Sequence, residues 1–561
     1  MLVPLPSEFQ DAVRRVPRPV LRSRKMAEEF TREEQAALAP YFTSLTAPVF
    51  ALVNLPEVVK GALFARYSRS PKSLRRLFLD EFLGPGGLQA AGHGGASGDA
   101  GARRAEQLFD RVFVEYGDDS VAQLGGVHLA CEGSSNILTK VLEWGRLMAY
   151  LEQSTRYIPY DDRPDGRYRY HMPAELTGTL RERYVATLDR AFDLYRAWLP
   201  RLREFFESKF PREPSESETV YRMTIRAKAL DTLRGMLPAA TTSNVGIYAT
   251  GQAYEQLLLR MRAHSLREVR DCADLMLVEL RKVIPAFLKR VDVPERGGVW
   301  SAYLEETRRE TRDVARRLVP PGPSHGPGGR VSSEEVVLTD FDQDGEAKVV
   351  AAALYAVSSR SDSELLEIAR RMTPDERGAV LAAYVGKRLN RRHRPGRAFE
   401  RTSYRFDVLG DYGAFRDLQR HRLLTLEWQR LTPRHGHVLP EAIAESGAAD
   451  DWRRVLAESA ELHDAIEAAG LPEVASYAVS MAYRVRFYMD MNAREAMHVI
   501  ELRTTPQGHP SYRRICQAMH RLIAERHPAI AAAMTFADHS AVDLERLEAE
   551  RAAERRRAGS V

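Results

Sequence analysis

Cysteine is nearly absent from this sequence: Cys131, Cys272 and Cys516 are the only three in 561 residues. They are scattered and show no Cys-x-x-Cys spacing, which excludes a disulfide-stapled scaffold and a thiolate zinc site. Cys272 and Cys516 lie on amphipathic stretches and read as core residues. Long apolar runs are missing as well. No stretch of about 18 uncharged apolar residues occurs, so no membrane span is expected. The start, Met1-Leu2-Val3-Pro4-Leu5-Pro6, lacks the charged-then-apolar order of a secretory signal, and a cytoplasmic protein is the expectation. Charge of one sign is not in excess: 82 Lys and Arg against 77 Asp and Glu leave a formal +5. That is a highly charged surface rather than a polycation. The basic cluster Asn390-Arg391-Arg392-His393-Arg394 has no aromatic interleaving for base stacking, so it reads as a solvated face, with no nucleic-acid partner expected.

What is present suffices for two or three domains, with 44% hydrophobic and 28% charged residues. Helical periodicity runs through Leu180 to Phe206 and Ala253 to Leu288. A Gly/Ala-rich stretch over residues 84–102 reads as a mobile insertion. The Pro/Gly-rich segment 319–333 is unfit for helix or inner strand and reads as a linker between halves 1–318 and 334–542. The alternating charges of 543–561 read as a solvated tail without chemistry.

The two halves echo each other. Leu259-Arg260, Cys272 and Pro285-Ala286 in the first match Leu502-Arg503, Cys516 and Pro528-Ala529 in the second, and Arg260 to Pro285 spans the same distance as Arg503 to Pro528. Each half also reads as strand then helix: Gly126 to Glu132 leading into Ser134 to Leu151, and Thr402 to Val408 leading into Tyr412 to Arg430. The second of these helices carries Arg416, Asp417, Arg420, His421 and Arg422, a dense polar set that alone would pass for a solvated basic face. The first runs out into Glu152, Ser154 and Arg156. In an extended exit, Ser154 and Arg156 would point the same way and share a phosphate.

Together these pieces resemble the signature of the flavin-dependent thymidylate synthases, RHRxxSxNxxSxRY, split between the halves. Arg420-His421-Arg422, with Thr425 in the serine position, carries the beginning. Glu152, Ser154, Arg156 and Tyr157 carry the end. Arg234-Gly235-Met236-Leu237-Pro238 is similar to the family's RxxLP segment, and Asn492-Ala493-Arg494 through Leu502-Arg503 to its NAR…LR helix. Tyr116 to Val121 is similar to its GHxS/T turn with Asp for His, and His393 with Phe399-Glu400 falls near HxxPFE, out of register. The likeness spans roughly residues 105 to 290 and 335 to 535.

The resemblance implies a helix-rich α+β fold of two tandem domains packed as a pseudo-dimer, with a homodimer of two chains giving a tetramer-like assembly. It also implies FAD as cofactor, with NADPH and methylenetetrahydrofolate as co-substrates, and reductive methylation of deoxyuridylate (dUMP) to thymidylate. By that resemblance Arg420, His421, Arg422, Asn492, Arg494 and His498 face the flavin. Glu152, Ser154, Arg156, Arg234, Asp417 and Arg503 face the nucleotide, with Arg503 and Arg420 the catalytic residues. Asp417 stands where the family has glutamine, so a carboxylate would face a phosphate unless an arginine neutralises it. That departure keeps open a homologue that binds flavin or nucleotide without turnover, or that methylates another pyrimidine nucleotide such as UMP.

Overall fold

The computed structural model describes residues 29–83, 121–320 and 334–555, apart from 69, 215, 548, 549, 552 and 553. The Gly/Ala-rich stretch 84–102, residues 116–120 of the altered turn and linker residues 321–333 lie outside the described residues.

Strict in-out alternation of apolar residues makes Thr242–Thr250 and Arg484–Asn492 half-buried strands, and each organises an antiparallel sheet. In the first half, β1 (Gly126–Ser135) leads into a short α1 (Asn136–Leu142), and β2 (Met148–Glu152) follows. Next come α2 (Gly178–Lys209), α3 (Glu218–Leu233), β3 (Thr242–Thr250), α4 (Gly251–Arg262), α5 (Arg267–Arg281) and α6 (Val299–Leu318). The sheet order is β1-β3-β2. In the second half, β4 (Val336–Phe341) precedes β5 (Ser403–Asp411), α7 (Tyr412–Leu418) and β6 (Thr425–Trp428). Then follow α8 (Ala449–Ala468), β7 (Arg484–Asn492), α9 (Ala493–Arg503) and α10 (Pro510–Arg526), and the sheet order is β4-β5-β7-β6. The architecture is helix-rich α+β, as expected. No helix among the described residues is long and apolar enough to cross a membrane.

Periodicity misjudged several element ends. The helices expected over Ser134 to Leu151 and Tyr412 to Arg430 stop at Leu142 and Leu418, and a strand follows each. Met148–Glu152 and Thr425–Trp428 find backbone partners on β3 and β7, which outweighs a helical spacing of apolar residues. At Gly145 the chain turns so tightly that a Cβ would lie 2.6 Å from both Met148 Sδ and Tyr150 Oη. The stretch Ala253 to Leu288 breaks at His264, whose Nδ1 accepts from Leu266 N–H at 3.1 Å, and α5 starts afresh. The tail is not fully solvated either: Glu545 is buried and accepts from Lys228 Nζ at 2.6 Å. Cys516 is buried as expected, while Cys272 is only half-buried.

The cores of the two halves interlock. Phe192, Tyr195 and Ile225 of α2 and α3 sit in the core of the second-half sheet. Leu462 and Ile466 of α8, with Tyr477, sit in the core of the first-half sheet. Backbone hydrogen bonds join the halves in matched pairs. Ala239 N–H donates to Val479 O and Met481 N–H to Leu237 O, at 2.8 and 2.9 Å, while Ala240 N–H donates to Tyr477 O and Ala482 N–H to Gly235 O, both at 3.0 Å. Pro238 and Ser480, bridged at the centre, each stand four residues before the main strand of their half.

Candidate functional site

Glu152 ends β2, and its pleat turns the carboxylate inward against the second half. There it accepts from Arg416 Nη2 at 2.8 Å, from Lys140 Nζ at 3.2 Å and from Arg420 Nη2. Lys140 also donates to Glu143 at 2.5 Å, and Gln419 Nε2 to Lys140 O at 3.0 Å. Burial alone would raise the Glu152 pKa, but Arg416, Lys140 and Arg420 overcome it and hold the carboxyl well below its ordinary range. The two signature fragments therefore meet within one chain: Arg420 opens one and Glu152 belongs to the other.

Asp417, on the last turn of α7, is the second meeting point. Its carboxylate lies 3.6 Å from Arg234 Nη1 and 3.8 Å from Arg503 Nη1, too long for hydrogen bonds. Burial opposes its ionisation, but Arg420, Arg503, Arg234 and Arg156 drive its pKa far below normal. The neutralisation required of a carboxylate in this place is thus supplied by both halves. Arg503 also donates to the Asp417 carbonyl at 2.5 Å and from Nε to His421 Nε2 at 2.9 Å. Arg234 Nη2, Arg420 Nε and Arg416 Nε are buried without a hydrogen-bond partner among the described residues. Gly413 makes room for Arg234, since a Cβ there would stand 2.9 Å from Nη2.

Ser154 and Arg156 do not share an extended exit. The chain turns at 155–157, Arg156 N–H donates to Ser154 Oγ at 3.2 Å, and the guanidinium grips Asp231 at 2.6–2.8 Å and Tyr512 Oη at 3.2 Å. A turn hydrogen bond and a buried carboxylate on α3 decide this orientation, neither of which a two-residue spacing reveals. Beside them, His509 is kept neutral by burial and by Arg234 and Arg156.

The residues expected on the flavin side divide. His421 faces His498 across 5.4 Å and lies 3.5 Å from Glu495, while His498 Nδ1 is 3.0 Å from Arg394 Nη2. Arg422 donates to the Met148 carbonyl. Asn492 caps α9 by accepting from Glu495 N–H at 2.9 Å, and Arg494 donates to Pro395 O at 2.9 Å. Arg394 and His498 thus join the site, whereas the Asn492 side chain is engaged in capping. His421, Glu495 and His498 bring ligand atoms within 4.8 Å of one another, but burial, reinforced by the surrounding arginines, pulls down both histidine pKa values, and those arginines favour an anion there over a cation.

Glu495 is pushed up to about 7 by burial, against the pull of Arg394, Arg494 and Arg422. The unfolded chain releases this proton near the ordinary carboxyl value while the folded chain keeps it. The contribution of this group is therefore present in acid and lost as pH rises through the folded pKa. Glu495→Gln is expected to flatten the decline of the urea midpoint between about pH 5 and pH 8. An unchanged slope in the variant would remove Glu495 as its source.

The matching place in the other orientation is filled differently. Counted along the paired strands, Trp428 stands where Glu152 does, and Trp144 follows α1 as Arg420 follows α7. The ion pair is replaced by an edge-on aromatic pair with ring centroids 5.6 Å apart. Trp144 Nε1 donates to Leu426 O at 3.2 Å, and Arg146 to Thr425 Oγ1 at 2.9 Å. Arg260 lies over Trp144 at 5.1 Å. It follows its helix cap, Thr250, by ten residues, whereas Arg503 follows Asn492 by eleven, so their sequence match is one residue out of step on the helix. Between the loops after α1 and α7 lies a cavity of about 480 Å³, lined by Trp144, Arg146, Arg260, Gln419, His421 and Arg422 among others.

Sequence reasoning missed Lys140, Glu143, Asp231, Tyr512 and Glu495. Asp231 left one trace, an acidic residue on an apolar helix face three positions before Arg234.

Comparison with known proteins agrees with the repeated architecture. The chain is 37% identical over 526 residues, 93% of its length, to the UPF0159 protein of Chlamydia muridarum (strain MoPn / Nigg), of which 98% is covered. It is 30% identical over 517 residues to the UPF0159 protein Ta1429 of Thermoplasma acidophilum, covering 88% of this chain and 97% of that one. A flavin-dependent thymidylate synthase of Clostridium tetani is 25% identical over 185 residues, 32% of this chain and 68% of that protein. The description "thymidylate synthase complementing protein" matches twice, over residues 87–286 and 337–529. The chain belongs to the thymidylate synthase complementing protein family, with two copies of the family's sequence in tandem.

Proposed function

We propose that this protein is an FAD-dependent thymidylate synthase that methylates C5 of dUMP, with methylenetetrahydrofolate as carbon donor and NADPH as reductant. The observation that carries this reading is the convergence of Arg156 and Arg234 from the first half with Arg420 and Arg503 from the second around Asp417. Such a cleft suits an anionic, planar substrate. The unpartnered nitrogens of Arg234 and Arg420 and the basic, aromatic cavity beside His421 suit a flavin nucleotide. FAD, when bound, carries the redox chemistry of the methyl transfer. His421, Arg422 and His498 would hold it. Ser154, Arg156 and Arg234 bind the nucleotide phosphate and ribose, with Glu152 fixing Arg420. Arg503 steadies negative charge developing on the uracil.

On this reading the halves are a fused pair, each having lost the fragment the other retains, and the matched backbone hydrogen bonds between them support it. The tryptophan pair leaves one working cleft per chain. Two chains form a tetramer-like homodimer, for which exposed Leu147, Leu151 and Leu423 offer an apolar surface. The protein works in the cytoplasm, beside its nucleotide and folate substrates. Asp417, in place of the family's glutamine, is the specific ground for assaying UMP beside dUMP.

Complementation of a thymidine-requiring strain tests the proposal. The wild-type chain is expected to restore growth, and Arg156→Ala and Arg420→Ala each to abolish it. Co-expression of the two variants should not rescue, because both residues serve one cleft within one chain. Undiminished growth with Arg420→Ala would sink the shared site. A yellow wild-type protein that binds dUMP but restores no growth would point to the binding-only reading.

A further inference from the structure

The charged C-terminal segment reaches the nucleotide side of the cleft. Glu545 is anchored to Lys228 of α3, and farther along Arg551 meets Glu216 at 3.5 Å while Glu554 accepts from Ser217 Oγ. These anchors lay the segment along the helix that carries Asp231 and runs into Arg234. They set the guanidinium of Arg546 over the ring of Tyr157, 4.0 Å from its centroid. Tyr157 directly follows Arg156 in the signature.

Arg546 is held there with its own needs unmet. Its Nε is buried without a hydrogen-bond partner among the described residues. Its ion pair with Glu550 is stretched to 3.7 Å, on a side chain only 11% exposed. Burial, with the like charge of Arg156 nearby, pulls its pKa down to about 10. Glu545, the adjacent carboxylate, is turned to Lys228 instead. Arg156 has Asp231 as its counter-ion, but a buried Arg546 with an unsatisfied N–H and a like charge nearby is costly to hold, and an anion bound beside it offsets both costs.

We propose that Arg546 is a phosphate-binding residue, which together with Arg156 holds the 5′-phosphate of the pyrimidine nucleotide and makes the C-terminal segment one wall of the cleft. This rests on the nucleotide reading given above. A phosphate is the group that fits, because its tetrahedral oxygens accept from two guanidiniums at once, whereas the base is served by Arg503. A nucleoside without the phosphate has nothing to offer Arg546.

The test is equilibrium binding of dUMP and of deoxyuridine to the full chain, wild type, Arg546→Gln and Arg546→Lys. Arg546→Gln is expected to weaken dUMP binding roughly tenfold or more, the range of a lost charge-assisted hydrogen bond, and to leave deoxyuridine binding unchanged. Arg546→Lys should recover part of the loss. Equal dUMP affinity in wild type and Arg546→Gln overturns the proposal, and so does an equal loss for nucleotide and nucleoside, the mark of a merely structural role. If Arg546→Gln does not fold, the charge-preserving Arg546→Lys decides: a dUMP-to-deoxyuridine affinity ratio equal to wild type overturns the assignment, and a lower ratio supports it. Failure of the wild-type chain to bind dUMP at all would instead overturn the nucleotide reading, and this inference with it.

Discussion

Replacing Glu152 with alanine is expected to destabilise the fold by about 3–5 kcal/mol, the cost of stranding buried charge. Arg416 and Lys140 have side chains only 4% and 1% exposed, and both are directed at this carboxylate. Without it, Glu143 remains as a partner for Lys140, while Arg416 keeps only contacts of 3.5 Å to Thr155 Oγ1 and Met481 Sδ. Glu152→Gln is expected to cost less, since its amide oxygen still accepts one of these bonds. Urea denaturation measures both. A loss below about 1 kcal/mol for the alanine variant would show that Glu152 does not hold the two halves' charges together.

The second large effect is on activity. Arg503→Ala is expected to lower kcat/KM for dUMP by at least about 100-fold, with most of the loss in kcat. The guanidinium bridges His421 and the Asp417 carbonyl. Asp417 keeps Arg234 and Arg420 as neighbours in the variant, so the fold should tolerate the change. Steady-state kinetics with dUMP decides. A fall of less than about threefold, or one confined to KM, would remove Arg503 from any role in the reaction itself.

The legible and illegible parts of this molecule divide along physical lines. Arg420, His421, Arg422 and Arg156 stand out in the sequence because they match pieces of the family's signature at its fixed spacing. The contact of Arg420 with Glu152 across the halves was legible because the signature is split between them. The ends of α1 and α7 were not, because β2 and β6 are strands only by virtue of their pairing with β3 and β7, and local periodicity carries no record of a partner. Lys140 and Glu143 were invisible, and Asp231 nearly so, for a related reason. They act across space on Glu152 and Arg156, and in sequence each is one more charge on a charged chain. The offset between Arg260 and Arg503 was misleading in a subtler way, since a one-residue slip on a helix turns a side chain by about 100° while leaving the sequence match intact. The tail was misread because alternating charge describes a solvated helix equally well, and contacts such as those with Lys228 and Tyr157 distinguish the two cases.

The crossing at Pro238 and Ser480 has a consequence for how such a chain changes over generations. Its four hydrogen bonds run from main chain to main chain, so they depend on the path of the backbone and hardly on side-chain identity. A seam of that kind stays closed while the residues on either side drift. One copy is then free to trade an arginine for a tryptophan and the other a glutamate for a tryptophan, as the places of Trp144 and Trp428 illustrate. The fusion also fixes the ratio of the two walls at one to one, so neither wall can be outnumbered by copies of itself.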